Sequence, residues 1–145
     1  MKVYIASPLF NEFEKSRNVG ISEYLNSVGI STYLPQKDGG LAFDLIKAGE
    51  DKGKTRKDMF ESDVNAIKDC DAILCILDGR VPDEGLCVEL GMAYVLGKKC
   101  IGYKTDKRSL DEFGDNLMIE GCLEKIVSTK DELRNCFIWY SFYEI

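Results

Sequence analysis

A chain of 145 residues suits one domain with its own core, and 45% apolar with 30% charged residues is the balance of a soluble globular protein. No apolar run approaches the ~20 residues of a membrane helix, and the apolar part of MKVYIASP is too short for a secretory signal, so a cytoplasmic protein is expected. A net charge of −6 with dispersed basic residues argues against a nucleic-acid polymer as partner. The one basic cluster, Lys52 to Lys57, has acids on both sides and reads as a solvated loop or helix start, or as a guide for a phosphate-bearing small molecule.

The composition also limits the chemistry. The chain has no histidine, which rules out a Ser-His-Asp or Cys-His nucleophile and a mixed Cys/His zinc site. Six cysteines, at positions 70, 75, 87, 100, 122 and 136, form no CxxC pair and read as reduced structural residues; Cys75, Cys87 and Cys100 lie in apolar segments. No metal and no cofactor is expected. If the chain is an enzyme, acid–base work falls to carboxylates, Tyr, Lys or Cys.

In chain order, Lys2 to Ala6 is a strand ended by Ser7-Pro8, and Glu12 to Val28 is a helix with Phe13, Ile21, Tyr24, Leu25 and Val28 at helical spacing, stopped by Gly29. Ile30 to Leu34 is a β-branched second strand ended by Pro35. Gln36 to Asp51 is irregular, a loop with a short helix. Thr55 to Lys68 is amphipathic, with Met59, Phe60, Val64 and Ile67 on one side. Ala72 to Leu77 is continuously apolar, as a strand buried on both faces of a parallel sheet requires. A loop leads into the helical stretch Pro82 to Lys99, then Cys100 to Tyr103 is a fourth strand. Lys104 to Gly114 is loop-like, Asn116 to Ile119 and Cys122 to Ile126 are weaker apolar segments, the second a short strand. STKDELRNCF is a helix capped by Ser128 or Thr129. Alternating strands and helices imply a single α/β domain, a three-layer sandwich around a central parallel sheet. Ligands bind such sheets at the carboxyl ends of the strands, here Ser7 to Phe10, Pro35 to Asp38 and Asp78 to Gly85.

The common α/β phosphate and esterase motifs, GxGxxG, GxxxxGK[ST] and GxSxG, are absent. What remains is a set of acids at strand and helix ends. In PDEGLCVELGMAYVLGKK, Leu86, Leu90, Ala93 and Leu96 mark an inward face, and Glu89 falls on it. The helix N-terminus favours its ionised form and partial burial opposes it, which makes Glu89 a candidate nucleophile. Each candidate has a plain alternative: Glu89 as a border residue or ion-pair partner, Asp83 as an N-cap, Asp63 as one acid on a solvated face, Tyr4 as a core aromatic. Spacing alone leaves both readings open.

The ordered pattern VYIASPLF, ESDVNAIKDCDAIL, PDEGLCVELGMAYVLGKK and DNLM resembles the nucleoside 2-deoxyribosyltransferase family from Lys2 to about Met118. Its most specific element is D-E-G-x-x-x-E-x-G-x-A, Asp83 to Ala93. The resemblance implies a flavodoxin-like fold and a homo-oligomer with sites at subunit interfaces. It gives Glu89 the role of nucleophile on the anomeric carbon, with Tyr4 holding it. Asp83 and Asp63 match acids that contact the base and manage its proton. Phe10 matches an aromatic wall against the base, Gly85 belongs to the substrate-binding set, and Asn116 matches an asparagine that reaches the 5′-hydroxyl in a neighbouring subunit's site. The implied partners are nucleosides and free nucleobases. Gln36 to Lys57 departs from the family pattern, which leaves base preference open. The aromatic tail NCFIWYSFYEI reads as core or subunit interface, and KTDKR, Lys104 to Arg108, as a surface loop or a pocket rim. A hydrolase of nucleosides or nucleoside 5′-monophosphates on the same scaffold is the alternative activity, and a catalytically silent nucleotide-binding domain the alternative class.

Overall fold

A computed structural model describes residues 1–109, 112 and 114–138. The last seven residues of the aromatic tail, and part of the 104–114 loop, lie outside that set. Five strands, β1 (Lys2–Ala6), β2 (Ser31–Tyr33), β3 (Ala72–Ile76), β4 (Lys99–Tyr103) and β5 (Lys125–Val127), form one all-parallel sheet. Their order is β2-β1-β3-β4-β5, the flavodoxin-like arrangement, in which the order of strand addition reverses between β1 and β3 and opens a crevice at their carboxyl ends.

The strand sequences alternate between the two faces, and both faces are covered. On one side Val3 and Ile5 of β1 and Ala72, Leu74 and Ile76 of β3 pack with Ile21 and Leu25 of α1 (Glu12–Ser27) and with Leu133 and Phe137 of a C-terminal helix. On the other side Tyr4, Ala6, Ile73, Cys75 and Leu77 meet two long helices, α3 (Lys52–Asp69) and α4 (Glu84–Val95). A continuously apolar strand such as AILCI is thus divided by its period of two between two cores. Burying each such Leu or Ile stabilises the fold by roughly 1.5–3 kcal/mol. The remaining helices are α2 (Ala42–Lys47), α5 (Leu117–Cys122) and α6 (Lys130–Ile138). Glu132 accepts from the Ser128 and Thr129 N–H groups while the Thr129 hydroxyl accepts from the Glu132 N–H, which makes the expected cap at α6 reciprocal.

Several apolar side chains expected inside are exposed. Phe13 of α1 and Phe60 of α3 lie outward at 76% and 59% exposure, and α1 buries Asn18 and Ser22 instead. Leu96 is also exposed, because α4 ends earlier than its apolar spacing suggests: Leu96 is the C-cap and Gly97 leaves the helix at φ +70°. The basic cluster Lys52 to Lys57 is the exposed start of α3, apart from the buried Thr55. Pro35–Gly39, expected as loop, is a single π-helical turn. Among the described residues no helix is long and apolar enough to cross a membrane.

Candidate active site

Tyr4 lies at the centre of β1, fully buried, and β1 is flanked by β2 and β3. Its hydroxyl donates a 2.7 Å hydrogen bond to Glu89 Oε1, from the second turn of α4. This answers the question set by Glu89 on an apolar face: the carboxylate turns inward onto a phenol. Burial pushes Glu89 up from 4.5 to about 7; the Tyr4 hydrogen bond pulls it down, while Asp63 and Asp83 push it further up. Burial and the charge of Glu89 drive the Tyr4 phenol far above its ordinary range, so Tyr4 remains a donor at all working pH values.

Asp83 is the N-cap of α4, where its Oδ2 accepts the Leu86 N–H at 3.0 Å. The cap reading holds, and the cap also places the Asp83 charge close enough to Glu89 to push it up. Gly85 sits in the first turn beside it, and a Cβ there would come within 3.1 Å of Asp83 Oδ2. Asp63, on α3, is half-buried and pushed up to about 6 by burial. It makes no hydrogen bond or ion pair with the described residues.

Asp63 faces a cleft of about 530 Å³. Leu9, Phe10 and Lys15 form one wall, Pro35 and Gly40 to Asp44 the second, and Met59 closes it beside Asp63. The lining is apolar with few ionisable groups, the pattern of a small-molecule site. Phe10 stands 76% exposed at the lip, and its N–H donates to Glu14, whose own N–H donates to the N-cap Asn11. Behind the walls, the buried Asn18 amide donates to Pro8 O (2.9 Å) and Gln36 Oε1 (3.0 Å), and Gln36 donates to Lys15 O. Two cleft walls from distant parts of the chain are thereby tied together. Just after β3, the Asp78 carboxylate accepts from Thr105 and Asp106 backbone N–H groups and from the Thr105 hydroxyl, and pairs with Arg17 at 3.8 Å.

Tyr4, Glu89, Asp63 and Asp83 thus come together, and Phe10 joins them through the cleft. Asn116 does not: it is exposed, caps α5 by accepting the Met118 N–H at 2.9 Å, and makes no hydrogen bond to any of the four among the described residues. No motif or spacing in the sequence singles out Tyr33, Asn18 or Gln36. The signal for Tyr33 is the strand order itself, because β2 beside β1 in parallel register sets Tyr33 against Tyr4.

Comparison with known proteins bears on this site. The profile of the nucleoside 2-deoxyribosyltransferase family matches residues 3–126. No curated protein matches the chain significantly in sequence. Among solved structures, a 2-deoxyribosyltransferase from Bacillus psychrosaccharolyticus is similar at 25% identity and TM-score 0.75, covering 93% of this chain and 91% of its own. A 2-deoxyribosyltransferase from Leishmania mexicana shares the fold at 20% identity and TM-score 0.64, covering 99% of both chains. A CMP N-glycosidase from Clostridium botulinum shares it at 21% identity and TM-score 0.57, covering 97% of this chain and 99% of its own. The family match spans Tyr4, Asp63, Asp83 and Glu89 and most of the chain: the protein belongs to the nucleoside 2-deoxyribosyltransferase family.

Proposed function

We propose that this protein moves 2-deoxyribose from one nucleobase to another by double displacement, within a single catalytic domain. The observation that carries the reading is the 2.7 Å bond from Tyr4 to Glu89 Oε1, set next to a cleft that holds a second, electrostatically linked carboxyl group. Tyr4 fixes one oxygen of Glu89 and leaves Oε2 to attack the anomeric carbon. As the C1′–O bond forms, the C1′–N bond breaks through an oxocarbenium-like state. The departing base takes a proton from the carboxylic acid of Asp63, assisted from the loop side by Asp83. An acceptor base then attacks C1′, the bond to Glu89 breaks, and the acceptor's N–H proton passes to the Asp63 carboxylate. The charge bookkeeping closes without a metal or an organic cofactor.

The test is to incubate the protein with a 2′-deoxyribonucleoside, with and without a different free base, and to separate the products. A new nucleoside that appears only with the acceptor supports transfer. Free base released at one rate regardless of the acceptor means a hydrolase, the second reading, which the shared fold of a CMP N-glycosidase favours.

The site is also completed by a second copy of the chain in this reading. Leu117 and Met118, beside Asn116, are 77% and 71% exposed, and an apolar groove between α3 and α4 is lined by Phe60, Val64, Met92, Val95 and Leu96. Exposed apolar surface of this extent marks an interaction face. If Asn116 serves the partner's site, mixing the Glu89→Gln and Asn116→Ala variants creates sites with both residues intact. The mixture is expected to exceed the summed activity of the two separate variants, and a merely additive rate contradicts the assignment.

A further inference from the structure

Asp63 carries the base-side proton in the proposed reaction, yet no hydrogen bond or ion pair among the described residues orients it. What it meets is packing. A Cβ built on Gly39 would stand 2.9 Å from the Tyr33 hydroxyl and 3.5 Å from Asp63 Oδ1, so the phenol and the carboxylate converge on one backbone point. Gly39 is held there by the π-helical turn: Leu34 O accepts the Lys37 and Asp38 N–H groups, and the Asp38 carboxylate accepts the Leu34 N–H at 2.7 Å. Tyr33 is joined to that turn through its N-cap, Leu34. It ends β2 and pairs in register with Tyr4, its ring stacked on Tyr4 at 5.5 Å between centroids and 14° between planes. Lys2 Nζ stands 6.0 Å from the centroid of the same ring.

Resting on the transfer reading above, we propose that Tyr33 is a positioning residue. Through its hydroxyl and the Gly39 backbone it seats the carboxyl group of Asp63, and through its ring it keeps that seat in register with the sugar-side pair Tyr4–Glu89. A side chain at position 39 would press on the Tyr33 hydroxyl and come into contact with Asp63 Oδ1. The two halves of the reaction, proton transfer at the base and bond exchange at the sugar, are thereby held by one aromatic stack. The perturbation of Tyr33 agrees with the geometry: burial raises the phenol, Ser62 opposes it, and Asp63 and Asp38 add to the rise.

A structural aromatic and a positioning residue differ in which substrates suffer when the hydroxyl is lost. A nucleobase needs a proton to depart, whereas 4-nitrophenolate leaves without one. Two substrates are therefore compared: the 2′-deoxynucleoside that the wild type consumes fastest, and 4-nitrophenyl 2-deoxy-β-D-riboside. Tyr33→Phe keeps the ring stack, and Gly39→Ala disturbs the same seat from the backbone side. Both are expected to slow the nucleoside roughly 10- to 100-fold, the scale of a 1 Å misplacement, and the nitrophenyl compound by no more than about threefold. Equal slowing of both substrates, or no slowing of either, overturns the proposal for Tyr33 and leaves the transfer reading standing. Wild-type protein that consumes no nucleoside overturns the transfer reading and this proposal with it.

Discussion

Glu89→Gln is expected to lower base exchange by about 10⁴-fold or more while the fold becomes more stable at neutral pH. The rate loss follows from the loss of an ionised oxygen to attack C1′; the amide keeps the size, and its carbonyl still accepts from Tyr4. The stability gain follows from burial. Glu89 titrates near 7 in the folded chain and near 4.5 when exposed, so the native state disfavours its ionised form. Below pH 4.5 the group is neutral in both states and contributes nothing. Between about 4.5 and 7 the folded state increasingly resists ionisation, and above 7 the full penalty stands, on the order of 3 kcal/mol at most. Thermal unfolding of wild type and Glu89→Gln across pH 4 to 8 should therefore give curves that coincide at the acid end and diverge towards neutrality. Parallel curves would mean that Glu89 is well solvated, and an active variant would remove it as the nucleophile.

Asp63→Asn is expected to slow transfer by roughly 10²-fold or more, because an amide cannot give a proton to the leaving base or take one from the acceptor. It should also remove the descending limb of the pH–rate profile, because that limb reports loss of the proton Asp63 gives to the base. Burial pushes Asp63 up to about 6, and its charge, once formed, is one of the groups that push Glu89 up. The two carboxyl groups interact, and the limbs of the wild-type profile belong to the pair rather than to either residue. A slow variant that keeps the descending limb would place Asp63 in base contact but assign the proton transfer to another group. A wild-type rate would leave it as a surface acid.

The apolar runs and periodicities of the sequence were enough for the order of strands and helices, because a strand covered on both faces, such as Ala72 to Ile76, has almost no alternative to an apolar run. Glu89 stood out for the same physical reason, as a charge where the spacing called for a Leu. What escaped the sequence is what depends on closure between distant segments. Phe13 and Phe60 carry helical periodicity yet point outward, while Asn18, polar and unremarkable in a list, is fully buried because it bridges Pro8 and Gln36 across the cleft walls. Leu96 reads as core until Gly97 ends the helix one turn early. Tyr33 lies 29 positions from Tyr4, and their stacking follows only from β2 lying beside β1. The turn from Pro35 to Gly39 has no periodic signal at all, and its π-helical form is what carries Gly39 against Tyr33 and Asp63.

The central claim, that Glu89 bonds covalently to the sugar, has a direct measurement. The protein is mixed with a 2′-deoxyribonucleoside in the absence of any acceptor base, quenched with acid, digested, and its peptides are weighed by mass spectrometry. The account predicts one deoxyribosyl group on the peptide that contains Glu89, lost when an acceptor base is added before the quench. Turnover with an unmodified Glu89 peptide, or with the sugar on another residue, would contradict it.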